Sequence, residues 1–230
     1  MRWPRGEHNL REDPNADWCP GQLICLWAAW PRRDDNPGVG AVEIVEYDES
    51  WPDAFSDVAS RLRMILGDRA SRIDHIGSTS VAGLASKDVI DIQVSVIQDS
   101  DLDDVARELE KAGWTPRPTI NRDHEVPGAL EELARRKRFL NEPPGYRRVN
   151  IHVRVIGQAN QRYPLLFRDY LRAHPFSAQA YATLKRDLAH LLHDDYDRYA
   201  EMKDAACDLI YFAAEDSVQA VGWSVGPSDG

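Results

Sequence analysis

The chain has 230 residues, of which 43% are hydrophobic, and this is enough for one folded domain with its own core. Its formal net charge of -10 argues against a general nucleic-acid-binding protein, because such proteins present basic surfaces to phosphates. The charge still permits a local basic pocket for a small phosphorylated ligand. No apolar run approaches the roughly 20 residues that a membrane-spanning helix needs, so we expect no membrane insertion.

The three cysteines are Cys19, Cys25 and Cys207, and they lack the paired spacing of a zinc site. Free thiols are typical of a reducing compartment, which predicts a cytoplasmic protein. Residues 1–40 hold four tryptophans and five prolines without any sustained period, and we interpret them as an N-terminal extension, partly disordered. The regular domain is predicted to span residues 41–213, followed by a polar tail, residues 214–230.

The domain alternates helical and strand patterns before it becomes helical, which predicts an α+β fold. A short strand-like alternation comes first, at residues 42–45, and a helix with a Ser-Trp-Pro start follows to about residue 66. The further elements predicted are strands at 73–76, 89–96, 114–118 and 147–156, and helical patterns at 101–112, 129–139, 165–173, 177–193 and 194–213. Ser100 and Ser177 are predicted to cap two of these helices.

Residues 73–96 organise the domain, because a small-residue turn there precedes a strand with one polar face. The turn is Gly77-Ser78-Thr79-Ser80, and its N–H and hydroxyl groups could hold an anionic oxygen. In the strand that follows, Asp91 and Gln93 share the polar face, since successive strand side chains point to opposite sides. A carboxylate there could hold a divalent metal against the same anion. The alternative is an ordinary connector before a half-buried strand.

A second alternating strand, at 147–156, presents Asn150, His152 and Arg154 on one face. If the two strands are neighbours with these faces on the same side, they form the floor of a polar pocket. Four basic residues that surround this region in the sequence suggest a bound anion: Lys87, Arg138, Arg168 and Lys185. The alternative is that the polar faces and charges are simply solvated.

The two residues before the turn have simpler interpretations. Asp74 is predicted to face solvent. His75 lies within an apolar run, which favours a packed, hydrogen-bonded histidine over a metal ligand.

Three stretches together resemble the GrpB family of uncharacterised proteins. They are HIGSTSVAGLASKDVIDI at 75–92, NIHV at 150–153, and LFRDYLRAHP at 166–175 with Tyr181 and Lys185 after it. The resemblance covers about residues 42–213. It is especially similar to the GrpB-like domain that some bacteria carry fused behind dephospho-CoA kinase, although this sequence holds no kinase phosphate loop.

The resemblance implies a nucleotidyltransferase-like fold, a mixed sheet flanked by helices with a helical C-terminal part. In that superfamily a Gly-Ser turn precedes a strand with two carboxylates, which bind Mg²⁺ jointly. Gly77-Ser78 matches the turn and Asp91 matches the first carboxylate, as catalytic residue and metal ligand. Gln93 replaces the second carboxylate, and the neighbouring strand offers His152 and Arg154 where a third acid is usual.

Three hypotheses stay open at this point. The first is a degenerate nucleotidyltransferase-type pocket that binds a nucleotide or another phosphorylated ligand without catalysis. The second is an active Mg²⁺-dependent nucleotidyltransferase. The third is a chaperone-like module that binds a protein partner. The lost carboxylate and the basic facing strand favour the first.

Overall fold

The structure is a computed structural model, and it describes residues 41–125 and 135–230. Its described elements form one mixed sheet with helices, and the helices dominate after the last strand. They are, in chain order, α1 Trp51–Leu66, β1 Arg72–Ile76, β2 Ile90–Val96, α2 Asp101–Lys111, β3 Thr115–Pro116, β4 Arg138–Asn141, β5 Val149–Val155, α3 Ala159–Ala173, α4 Pro175–Leu191 and α5 Tyr196–Val221. The predicted α+β class, with a helical C-terminal part, is confirmed.

The sheet has the strand order β1-β2-β5-β4-β3. β2 and β5 are parallel, and the other neighbours are antiparallel. The register sets Asp91 beside Asn150 and Gln93 beside His152. Because paired residues of neighbouring strands share a face, the two polar faces expected from the sequence lie side by side. The two strands are therefore neighbours with their polar faces on the same side of the sheet, as the predicted polar pocket requires.

The opposite face of the sheet carries the main apolar core. Side chains from β2 and β5 pack there against α1 and α2, whose buried residues recur at helical spacing. A second apolar cluster joins α3, α4 and α5 to the chain just after the glycine-serine turn. The turn thus lies between the sheet and the helical part. None of the helices in residues 41–125 and 135–230 combines the length and the hydropathy that a bilayer span requires.

Several local predictions differ from the structure. Residues 42–45 form no strand, only an isolated bridge from Val45 to Ser86. The helical pattern at 129–139 lies partly outside the described residues, and its end belongs to strand β4. Ser177 lies inside α4, because Pro175 already begins that helix. α5 continues to residue 221, since its apolar inner face extends past residue 213 to Ala214 and Val218.

Asp74 is fully buried, so the prediction of a solvated side chain is wrong. Arg72 donates two hydrogen bonds to its carboxylate, at 2.7 and 3.1 Å, and these compensate for the lost solvent. His75 is packed as predicted. Its ring stacks on Phe55 at 4.6 Å between centroids and lies 3.0 Å from the Thr79 hydroxyl.

Residues 226–230 run along the free edge of β1. The Gly230 N–H donates to the carbonyl of Ile73, and the Ser228 hydroxyl contacts both the N–H and the carbonyl of Ile73. The carboxylate of Asp229 accepts from the N–H of His75. An uncovered strand edge exposes unpaired backbone groups, and these contacts satisfy several of them.

A buried ion network ties β5 to the segment before the undescribed residues 126–134. Asp123 accepts two hydrogen bonds from Arg154, at 2.7 and 2.8 Å, and one from Lys137 at 2.6 Å. All three side chains are buried. Burial alone would raise the pKa of Asp123, but the charges of Arg154 and Lys137 outweigh it and hold that pKa well below its usual range. Asp123 is therefore ionised in the folded chain.

Asp123→Asn should destabilise the fold strongly, because it removes the charge of a buried carboxylate that pairs with both Arg154 and Lys137. We expect a loss of about 3–5 kcal/mol in the free energy of unfolding by denaturant titration. The natural protein should also lose stability as the pH falls below about 4, since the unfolded carboxyl binds its proton there first. Asp123→Asn should lessen that acid sensitivity.

The matched control is Asp103→Asn, at the half-exposed partner of Arg138. An exposed ion pair contributes only about 0–1 kcal/mol. Equal losses for the two variants would contradict the structural role given to the buried network.

Candidate functional site

The glycine-serine turn packs directly against the first residues of β2. Gly77 has φ +71°, and a Cβ atom placed on it would lie 2.5 Å from Oδ2 of Asp91. Residues 78–80 then form a single 3-10 turn, held by the Ser80 hydroxyl, which donates to the carbonyl of Gly77. Both the backbone conformation and the lack of space require glycine here. The turn and the carboxylate therefore form one unit.

Asp91 is the partly accessible acid of this unit, with 30% of its side chain exposed. Its Oδ1 accepts a hydrogen bond of 2.8 Å from the Asn150 amide and lies 3.8 Å from Nε2 of His152. Burial favours the neutral carboxyl, but His152 and Asn150 together outweigh it and lower the pKa of Asp91. Asp91 is a carboxylate at neutral pH.

His152 faces Asp91 as a neutral ring. Burial and the charge of Arg154 lower the pKa of His152 to about 4. The Arg154 guanidinium lies 3.3 Å from Nδ1, which assigns Nδ1 as the acceptor and Nε2 as the protonated nitrogen. Nε2 therefore carries a hydrogen that points toward Asp91, and it has no free lone pair with which to bind a metal ion.

Gln93, at the position of the second carboxylate, is fully buried and its amide is engaged at both ends. The oxygen accepts from Arg154 at 2.8 Å, and the nitrogen donates to the carbonyl of Gln161 at 2.9 Å. These contacts fix α3 against the sheet. Within residues 41–125 and 135–230, no three His, Cys, Asp or Glu side chains are grouped to hold a metal ion. The described residues do not fit a complete two-carboxylate Mg²⁺ site.

Lys185 extends from α4 to the turn. Its Nζ donates to the Ser78 hydroxyl at 2.9 Å and to the carbonyl of Ala85 at 2.5 Å, and the residue is only 2% exposed. Burial lowers the pKa of Lys185 to about 7, and the nearby charge of Lys203 acts in the same direction. An anion at Ser78 would favour the protonated amine.

A cleft opens beside Asn150, and cations line it. The centre of a water molecule could occupy about 30 Å³ of it, and about 350 Å³, including its open mouth, holds no protein atom. Lys87 contributes an ammonium group that donates to the Tyr196 hydroxyl at 2.9 Å. Arg117 and Arg148 also line the cleft. In the described part of the chain, neither arginine makes a side-chain hydrogen bond or ion pair.

Arg117 and Arg148 were not predicted from the sequence. Arg148 directly precedes β5, as Lys87 precedes β2 by a few residues. Because the two strands are parallel, residues that precede them lie at the same end of the sheet. That signal becomes visible only once the strands are known to be neighbours. Arg117 lies just after the short edge strand β3, and no sequence period marks it.

The remaining predicted ligand residues make internal contacts. Arg138 pairs with Asp103 on α2, and Arg154 belongs to the buried network around Asp123. Arg168 donates to the carbonyl of His75 at 3.0 Å and pairs with Asp169 and Asp229. Thr79 is buried against His75. The structure places five of the predicted residues in the turn or close to it and the cleft: Gly77, Ser78, Lys87, Asp91 and Lys185. Arg138, Arg154 and Arg168 are instead paired with carboxylates outside the cleft.

Fold and site together define an α+β protein in which a glycine-serine turn faces a strand carboxylate, with a basic cleft at the same end of the sheet. Residues 41–212 match the family model described as GrpB protein. The chain belongs to the GrpB family.

Three relatives show how far the similarity extends. The chain is 34% identical over 194 residues to dephospho-CoA kinase of Mycobacterium tuberculosis, covering 78% of this chain and 47% of that protein. It is 34% identical to UPF0157 protein BH1888 of Halalkalibacterium halodurans, covering 76% and 88%. The crystal structure of GrpB from Enterococcus faecalis aligns with TM-score 0.62 and 31% identity, covering 77% and 99%. The chain spans about half the length of the first curated relatives that it matches.

Gly77→Ala should displace Asp91 or destabilise the turn, because the added methyl group would overlap its carboxylate. Gly83→Ala is the matched control, since Gly83 also has a positive φ, +75°, but nothing within 4 Å of an added Cβ. We expect Gly77→Ala to lose about 1–3 kcal/mol more than the control in denaturant unfolding. Equal losses would show that the turn does not pack against Asp91.

Proposed function

We propose that this GrpB-family protein binds a small phosphorylated ligand, such as a nucleotide, at the glycine-serine turn and the adjoining basic cleft. The observation that carries the proposal is the pair Arg117 and Arg148, two cleft arginines without a side-chain partner in the described residues of an acidic chain. An arginine fork matches the geometry of phosphate oxygens.

The turn supplies a second set of donors. The N–H groups of Ser78 and Thr79 begin the 3-10 turn and donate to no acceptor among the described residues. The Ser78 hydroxyl and the Lys185 ammonium group lie 2.9 Å apart at the same place. A phosphate here would be bound by backbone, hydroxyl and ammonium donors together.

The contacts of Gln93 support a protein that binds the ligand without transferring a nucleotidyl group. Two-metal transfer needs carboxylates that hold both ions. Gln93 instead accepts from Arg154 in a buried contact, and Asp91 accepts from Asn150. We propose that any Mg²⁺ at this site would be bound to the phosphorylated ligand, and that the carboxylate of Asp91 would coordinate it.

The relatives suggest which ligands to try first. Several are named dephospho-CoA kinase, so dephospho-CoA and ATP are natural probes beside inorganic tripolyphosphate. The kinase activity itself is not proposed for this chain, which lacks the Gly-Lys-Ser/Thr of a Walker phosphate loop. The free thiol of Cys207 is consistent with a cytoplasmic setting, where such ligands occur.

Arg148→Ala and Arg117→Ala should each weaken tripolyphosphate binding about 5- to 10-fold in calorimetric titrations, because each removes a charge-assisted contact. The loss should shrink as salt is added, since the contact is exposed to solvent. The control is Arg69→Ala, an exposed arginine after α1. Unchanged affinity in both cleft variants would overturn the assignment of the cleft.

The same titrations with and without Mg²⁺ separate binding from transfer. The proposal predicts that tripolyphosphate binds in EDTA. Binding that occurs only with Mg²⁺, and that Asp91→Asn abolishes, would favour the active nucleotidyltransferase instead. No binding with any of the three probes would favour a protein partner.

Sulfate binding should weaken as the pH rises through about 7, because the ammonium form of Lys185 is the form that attracts the anion. Sulfate keeps its charge over this range, so the change reports the protein. We expect about a 3- to 10-fold loss of affinity between one pH unit below and one above that pKa. Lys185→Met should bind sulfate more weakly and with a flat pH profile. A steep profile that persists in Lys185→Met would exclude Lys185 as its source.

A further inference from the structure

The outward face of α5 has a regular pattern that the proposed ligand site does not use. The helix buries Tyr199, Cys207, Tyr211 and Ala214 against the rest of the chain. The residues on the opposite side are spaced alternately by four and three positions. They are Arg198, Met202, Ala205, Leu209, Phe212 and Asp216. At about 3.6 residues per turn, this spacing keeps all six on one stripe of the helix. We call them the α5 stripe.

The middle of the α5 stripe is apolar and exposed. Leu209 is 73% exposed, Met202 is 45% exposed and Phe212 is 40% exposed. Single exposed apolar residues are ordinary on protein surfaces. A continuous apolar stripe with charged ends is different, because contiguous exposed apolar surface commonly marks an interaction site. The four-three spacing is also the spacing of helices that pack side by side.

We propose that the α5 stripe binds the α5 stripe of a second copy of this chain, with the two helices antiparallel. The stripe is symmetric about the position of Cys207. In an antiparallel pair centred there, Met202 lies opposite Phe212, and Ala205 lies opposite Leu209. The small Ala205 then faces the larger Leu209, which suits interdigitation, and Met202 and Phe212 form an apolar contact on either side. A twofold axis repeats each contact, so one stripe serves as both halves of the interface.

The charges at the ends of the stripe support this pairing and its direction. Centred on Cys207, the antiparallel pair sets Arg198 of each copy opposite Asp216 of the other. A parallel pair would oppose Arg198 to Arg198 and Asp216 to Asp216, which like-charge repulsion disfavours. Arg198 contacts Glu201 at 3.2 Å, an exposed pair of little energetic value. Asp216 has no ion-pair partner in the described part of the chain.

A charge swap on the full chain tests the pairing by sedimentation equilibrium. Arg198→Glu and Asp216→Arg should each raise the dimer dissociation constant about 10-fold or more, because each turns two attractive contacts into two repulsive ones. The double variant should recover most of that loss. Arg107→Glu, an equal charge change on α2, is the control and should leave the dissociation constant unchanged.

A second variant separates the apolar contact from the charges. Leu209→Glu should give a monomer that keeps its helical circular dichroism and its tripolyphosphate affinity, since Leu209 does not line the cleft. The proposal is overturned if the natural chain is monomeric at its highest soluble concentration. It is also overturned if the double charge variant is no stronger a dimer than the single variants. Binding of a different protein to a monomeric chain would assign the stripe to that partner.

Discussion

The parallel pairing of β2 with β5 is the constraint on which the site depends. Its register places Asp91 beside Asn150 and Gln93 beside His152, so one polar surface is built from strands far apart in sequence. Parallel strands also begin at the same end of the sheet. The basic residues that precede them, Lys87 and Arg148, are brought to one cleft for that reason.

The polar surface divides into two parts with different roles. Near the start of the strands, Asp91 stays partly accessible and adjoins the glycine-serine turn. One strand repeat further on, Gln93 and Arg154 are buried under α3 and bonded to each other. A carboxylate at position 93 could not donate to the carbonyl of Gln161, as the amide nitrogen of Gln93 does. The neutral amide therefore fits a structural role, and this explains why the accessible part is left with one acid and several cations.

Local patterns predicted the two central strands, β2 and β5, but not β4 or the contacts between distant segments. The alternation in 89–96 and 149–155 correctly separated polar from apolar faces, because it depends only on the two-residue strand period. Asp74 was misplaced since its burial depends on cover from other segments and on its ion pair with Arg72. Arg154 looked like a cleft cation until Asp123, 31 positions earlier, was found beside it. Arg117 carries no period at all, so only the tertiary structure reveals it.

A crystal structure of the protein grown with tripolyphosphate would show directly where the anion binds. We expect phosphate density in contact with the Ser78 hydroxyl and the Lys185 ammonium group, extending toward Arg148. Density instead in the separate groove lined by Arg172 and Arg186 would contradict that expectation, and so would an empty cleft at saturating concentration.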